Sequence, residues 1–259
     1  MKRFLYSIFI SSSLLFSQEK IETITLNEQP LKVDQLIHID NFGSLYYTVG
    51  NTFYKKEPHQ NYNYSNVQLG SITSIDAFNP LKINVFYKNF NTVLILDNRL
   101  SEIFKVDFNS IQPYKNITHI STGADNTLWI FDQNSQQLEL FDYKTNTVRA
   151  SAMPVNSNVL HLKSNYNYSW LLTENHLYTY NYFGSSLSKI KNDGFLHIAE
   201  DNGNLIIQKK EGLYFLAKDS NSLAAIQLPQ LLIKQFSLTN ETLYIYTDEK
   251  LHQFQLKIR

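Results

Sequence analysis

The chain contains no cysteine. That removes disulfides, a lipidated cysteine and a thiol nucleophile together. It carries no net charge, with 23 basic residues against 23 acidic ones. A balance of this kind leaves no electrostatic footprint for nucleic acid or for an anionic membrane surface. Glycine and proline are scarce, eight and six in 259 residues, beside seventeen Tyr and seventeen Phe. Such a composition suits β-strands joined by polar turns. Beyond residue 20 no apolar run is long enough to cross a bilayer as a helix, which takes about 20 residues.

The first residues read as an export signal. Lys2 and Arg3 supply a positive start, residues 4–16 are mostly apolar, and Ser17 or Gln18 offers a cleavage point. Residues 1–18 are therefore expected to be a signal peptide. Residues 19–259 then form one exported domain, periplasmic or at the cell surface.

An internal repeat organises that domain. Four of the seven histidines recur at one position, in Ile37-His38-Ile39, Thr118-His119-Ile120, Leu160-His161-Leu162 and Leu196-His197-Ile198. Ser74 in Ile72-Thr73-Ser74-Ile75 and Gln235 in Ile233-Lys234-Gln235-Phe236 complete the series. Successive copies lie roughly 40 residues apart, a period that stacks supersecondary units into a ring. Each copy is followed by a second apolar strand, such as Leu128-Trp129-Ile130-Phe131, and a third, such as Leu138-Glu139-Leu140-Phe141. Turns of Asn, Asp and Gly separate them, residues that tolerate the left-handed conformation a tight hairpin needs. Fourth strands are more polar, as exposed edges should be. They are placed at Asn66-Val67-Gln68-Leu69, Ile103-Phe104-Lys105-Val106, Thr147-Val148-Arg149, Leu187-Ser188-Lys189-Ile190 and Leu223-Ala224-Ala225-Ile226.

The sixth repeat stops after its third strand. Residues 21–26, Ile21-Glu22-Thr23-Ile24-Thr25-Leu26, alternate apolar and polar and have no repeat of their own. They are expected to supply the missing outer strand and so to join the two ends of the chain. The segment from Ile120 through Gly123, Asp125, Asn126 and Leu128 to Phe131 resembles blades of bacterial extracytoplasmic β-propellers. It lacks the Trp-Asp dipeptides of WD40 repeats and the paired glycines of kelch repeats. The expected fold is all-β, a six-bladed β-propeller with four-stranded blades. A two-sheet sandwich is the competing arrangement of the same strands. The resemblance transfers a fold and no activity.

An inner ring of His38, Ser74, His119, His161, His197 and Gln235 follows, because first strands line the axis. Four imidazoles suggest a metal, but zinc needs nitrogens at about 2.0–2.1 Å, and the repeat brings no carboxylate to orient them. A structural role is preferred, each ring bonding a neighbouring blade. There is no Gly-x-Ser-x-Gly elbow, His-Glu-x-x-His or phosphate loop, so no catalytic, cofactor or metal residue is assigned. The tetrapeptides Asn61-Tyr62-Asn63-Tyr64 and Asn165-Tyr166-Asn167-Tyr168, with Tyr182, are the surface candidates. Tyr beside Asn offers rigid amphipathic area for a partner, and residues 55–65 form the longest polar connection. The expected function is a non-catalytic interaction scaffold of the bacterial envelope. It would be an accessory subunit of an outer-membrane assembly or secretion complex, with envelope proteins as partners. A carbohydrate or small-ligand binder is the alternative, and a lyase or glycosidase a third.

Overall fold

The computed structural model describes residues 20–258, so the expected signal peptide lies outside the described residues. Six antiparallel four-stranded sheets follow one another around an axis. The chain is a six-bladed β-propeller. Blade 1 runs Gln35–Ile39, Leu45–Val49, Thr52–Lys56 and Asn61–Tyr64. Blade 2 is Ser74–Asp76, Ile83–Tyr87, Thr92–Leu96 and Glu102–Asp107, and blade 3 is Ile117–Thr122, Thr127–Asp132, Gln137–Asp142 and Thr147–Ser151. Blade 4 is Val159–Ser164, Tyr168–Thr173, His176–Asn181 and Ser186–Lys191, and blade 5 is His197–Asp201, Asn204–Lys209, Gly212–Leu216 and Leu223–Ile226. Blade 6 has Gln235–Thr239, Thr242–Tyr246 and Lys250–Leu256, and its outer strand comes from the other end of the chain.

That outer strand is Thr23–Pro30, antiparallel to Lys250–Leu256, with Thr23 opposite Leu256 and Pro30 opposite Lys250. Closure by the N-terminal strand is thus as the alternation predicts, extended to Pro30. One feature lies outside the prediction. Lys20–Ile21 pairs in parallel with Leu223–Ile226 and adds a fifth strand to blade 5. The same short segment therefore joins two blades, and Ile21 is buried in the core between them.

A second departure concerns blade 1. Its fourth strand is Asn61–Tyr64 and not residues 66–69. After Lys56 the chain reverses through residues 57–60 and sets Tyr64 opposite Phe53 and Tyr62 opposite Lys55. Residues 66–69 instead form a turn, because the Asn66 side chain accepts from the backbone N–H of Gln68 and Leu69, both at 3.1 Å. A local side-chain acceptor of this sort competes with a sheet ladder.

The core is divided as the ring requires. There are six buried apolar clusters among the described residues, one for each pair of neighbouring blades. Trp129, Phe131 and Leu140 of blade 3 meet Leu162, Leu171 and Tyr180 of blade 4. Leu36, Ile39 and Leu45 of blade 1 meet Tyr246 and Leu251 of blade 6, which closes the circle. Burial of such faces drives the sheets together at about 25 cal/mol per Å² of apolar surface.

Polar bolts cross the same joints. Buried Lys82 of blade 2 donates to the carbonyls of Gly123 and Asp125 at 2.9 Å and of Thr127 at 3.1 Å in blade 3. Burial lowers its pKa to about 8. Gly123 admits this arrangement, since a Cβ there would lie 2.3 Å from Thr127 Oγ1. Replacing Lys82 by Met keeps the stem and removes the three donated bonds. Urea denaturation should then report a loss of about 1–3 kcal/mol, and an unchanged midpoint would show that the bolt carries no stability.

Candidate functional site

The first strands surround a central cavity of about 540 Å³. All six residues of the repeat position line it: His38, Ser74, His119, His161, His197 and Gln235. Strand alternation places the residue two further along on the same face, and Asp76 and Lys163 do line the cavity beside them. These two were not singled out from the sequence, although the period of two marks both.

The ring residues are tied in different ways. His38 Nδ1 is 3.0 Å from Ser237 Oγ of blade 6. His119 Nδ1 turns back to Thr118 Oγ1 of its own blade at 3.1 Å. His161 and His197 pack edge to face, their centroids 5.5 Å apart. Burial lowers the pKa of His38 to about 4, helped by the charge of Lys163. It lowers that of His119 to about 4, helped by Lys88. Burial, with Lys163 and the neighbouring histidines, holds His161 well below the usual imidazole value. His197 is lowered by burial as well. At pH 7 the ring is therefore neutral. Among the described residues no group of three His, Cys, Asp or Glu is placed to hold a metal ion.

Below the histidines a belt of hydrogen bonds links blade to blade. Asp76 accepts from Ser121 Oγ at 2.8 Å and Thr122 N at 2.7 Å. Ser164 donates to Ser121 Oγ at 2.8 Å, and Asn165 donates to Glu200 at 2.7 Å. Asn240 N donates to Asp201 at 2.8 Å, and Thr239 Oγ1 to the Ile39 carbonyl at 2.5 Å. Burial pushes the Glu200 and Asp201 carboxyls up.

The antiparallel meander puts the connections from first to second strands and from third to fourth strands on one face. That face carries Phe42, Phe78, Leu81, Tyr166, Tyr182 and Phe183, all exposed. Phe78 of blade 2 meets Tyr166 of blade 4 edge to face at 5.1 Å. The pair links blades 2 and 4, which flank blade 3, and Phe78 also lines the cavity. Tyr182 and Phe183 form a second pair at 4.0 Å. The opposite face exposes Val67, Phe90, Tyr114, Met153, Leu196 and Leu232.

The two Tyr-Asn tetrapeptides part company here. Tyr64 is buried and donates to Glu102 of blade 2 at 2.6 Å, and Tyr62 is half-buried beside it. Both lie in the outer strand of blade 1 and hold that strand to its neighbour. Tyr166 is exposed on an inner hairpin, and Tyr168 is half-buried in the strand that follows. Asn165 shapes this hairpin by accepting from Asn167 N and Tyr168 N at 2.9 Å.

No protein-family model and no curated protein sequence matches the chain. Solved structures do. A catalytically inactive virginiamycin B lyase from Staphylococcus aureus, solved with quinupristin, aligns with a TM-score of 0.61 at 13% identity, over 88% of this chain and 82% of that one. The β-propeller domain of Cps50 (Swd1) from Myceliophteria thermophila gives 0.63 at 10% identity, over 92% and 99%. A chain of the mitotic checkpoint complex gives 0.57 at 10% identity, over 98% and 97%. The likeness is one of fold. At these identities it carries no reaction and no partner to this chain.

Proposed function

We propose that the protein is a non-catalytic scaffold of the bacterial cell envelope, exported by its N-terminal leader. In this reading it serves as an accessory subunit of an outer-membrane assembly or secretion complex. The observation that carries the reading is the aromatic face. Phe42 and Leu81 are 80% and 65% exposed, on short connections held by a closed ring. Aromatic and apolar side chains on an ordered frame bind with little loss of conformational freedom. On that face the Phe78–Tyr166 and Tyr182–Phe183 pairs bring exposed rings into contact, and contiguous exposed apolar groups mark interaction sites. The similar folds include both a lyase and a chain of a multi-protein complex; the exposed face, and not that likeness, favours the second kind of role.

Co-purification tests it. Full-length tagged protein, isolated from detergent-solubilised membranes, should bring down envelope proteins identified by mass spectrometry. The variant Phe42→Ser/Leu81→Ser should lose them about tenfold or more, equivalent to about 1.4 kcal/mol, with its thermal midpoint unchanged. Recovery of the wild type only as a free monomer would overturn the scaffold reading.

A further inference from the structure

One joint of the ring departs from the repeat. In blade 3 the row Trp129, Leu140 and Ala150 crosses three paired strands, and all three side chains pack in the apolar cluster shared with blade 4. The same row of blade 4 reads Trp170, Thr179 and Ser188. Two hydroxyls stand where blade 3 has Leu and Ala. Blade 5 does not close over them. A slot of about 250 Å³ remains between blades 4 and 5, lined by this row and by Leu205 and Leu216. It opens among the connections that carry Gly203 and residues 217–221, on the side of the aromatic face.

The slot offers two kinds of accessible surface. Thr179 and Ser188 are half-buried, and Asn221 at the mouth is exposed. Ser188 Oγ donates to Thr179 Oγ1 at 3.0 Å, which leaves the Thr179 hydroxyl hydrogen and lone pairs on both oxygens for a ligand. Beside these groups half-buried Tyr168 and exposed Leu187 present apolar area. The mouth is ordered. Lys218 N donates to Asn204 Oδ1 at 2.9 Å, and the Lys218 ammonium stands 5.6 Å from the centre of the Tyr168 ring. Its stem crosses Gly203, which has φ +89° and where a Cβ would lie 3.0 Å from Lys218 Cδ. Asp219 follows at once, so the mouth carries one charge of each sign and favours no net charge in a ligand.

We propose that this slot binds a neutral pyranose sugar, with its C–H face on Tyr168 and Leu187 and its hydroxyls bonded to Thr179, Ser188 and Asn221. The two-sided lining selects the class. A purely apolar side chain from a partner would strip water from the two hydroxyls and return no hydrogen bond, which is unfavourable. A sugar supplies both an apolar face and donors and acceptors. The volume lies just below the roughly 300–1,000 Å³ of drug-sized sites, which suits a single ring.

NMR titration of the purified protein at pH 7 tests this with the methyl α-pyranosides of D-glucose, D-mannose and D-galactose, and with N-acetyl-L-leucinamide as an apolar probe. At least one glycoside should bind with a dissociation constant of about 10 mM or tighter, and at least about tenfold more tightly than the leucine amide. Thr179→Leu/Ser188→Ala restores the row of blade 3. It should weaken sugar binding by about tenfold or more, with a thermal midpoint no lower than that of the wild type. Thr179→Val keeps the shape of the side chain and should also weaken binding, and circular dichroism confirms the fold of each variant. The proposal is overturned if no glycoside binds, or if a folded double variant binds as well as the wild type. Tighter binding of the leucine amide than of every glycoside would mark the slot as a peptide-docking site and overturns it too. Phe42 and Leu81 take no part in the slot, so a negative result here leaves the scaffold reading standing.

Discussion

Acidification from pH 7 to pH 4 is expected to unfold this protein through its channel histidines. In the unfolded chain an imidazole titrates near 6.5; in the fold His38 and His119 do so only at about 4. Between these values the unfolded state binds protons that the native state refuses. Stability is therefore intact above about pH 7, falls as pH drops through 6.5, and levels off near 4. Each ring contributes about 3 kcal/mol to that loss, and His161 and His197 act in the same direction. Total stabilities of about 5–15 kcal/mol leave little margin. Glu200 and Asp201 work the other way, because burial raises their pKa values and protonation relieves them. Urea unfolding at pH 7, 5.5 and 4 should show the decline. The double variant His38→Gln/His119→Gln should flatten it. An equally steep decline in that variant would place the acid sensitivity elsewhere.

The second large effect should come from the joint between blades 2 and 3. Lys115 lies on the connection that enters blade 3, and its ammonium meets Glu139 Oε2 of that blade at 2.6 Å, each side chain only 8% exposed. The backbone carbonyl of the same lysine accepts from Asn91 Nδ2 at 2.6 Å, so the connection is pinned from both sides. Removing one member of a buried pair strands the other charge, which costs about 3–5 kcal/mol. Lys115→Met alone should lose that much in denaturant unfolding. Lys115→Met combined with Glu139→Leu should recover most of it, since an apolar pair needs no solvation. A double variant as unstable as the single one would show that packing, and not the stranded carboxylate, sets the cost.

Much of the architecture was legible because a propeller repeats. The histidine position recurs once per blade, and its six copies mark six first strands that all reach the cavity. The alternation of residues 21–26 pointed to the closing strand, and blade 6 does receive it from Thr23 onward. The errors occur where a contact is not periodic. Pro58 and His59 look like a long loop, yet four residues suffice for the reversal that brings Asn61–Tyr64 into the sheet. Lys20–Ile21 joins blade 5 through a parallel pairing with residues about 200 positions away, which no local pattern encodes. The same limit applies to the site. Asn-Tyr-Asn-Tyr occurs twice, but Tyr64 of one copy is buried against Glu102 while Tyr166 of the other is exposed beside Phe78. Only the neighbouring blade distinguishes them. Lys163 and Asp76 were within reach of sequence reasoning, each two residues beyond a ring position.

The account rests most heavily on the aromatic face as the surface that meets a partner. Site-specific photo-crosslinking in living cells tests it directly, with the reactive residue placed at Phe42 or Leu81 on that face and at Val67 or Met153 on the other. All four positions are exposed. Crosslinks from Phe42 and Leu81 to one envelope protein, absent from Val67 and Met153, are the predicted result. Crosslinks confined to the opposite face, or none from any position, would contradict it.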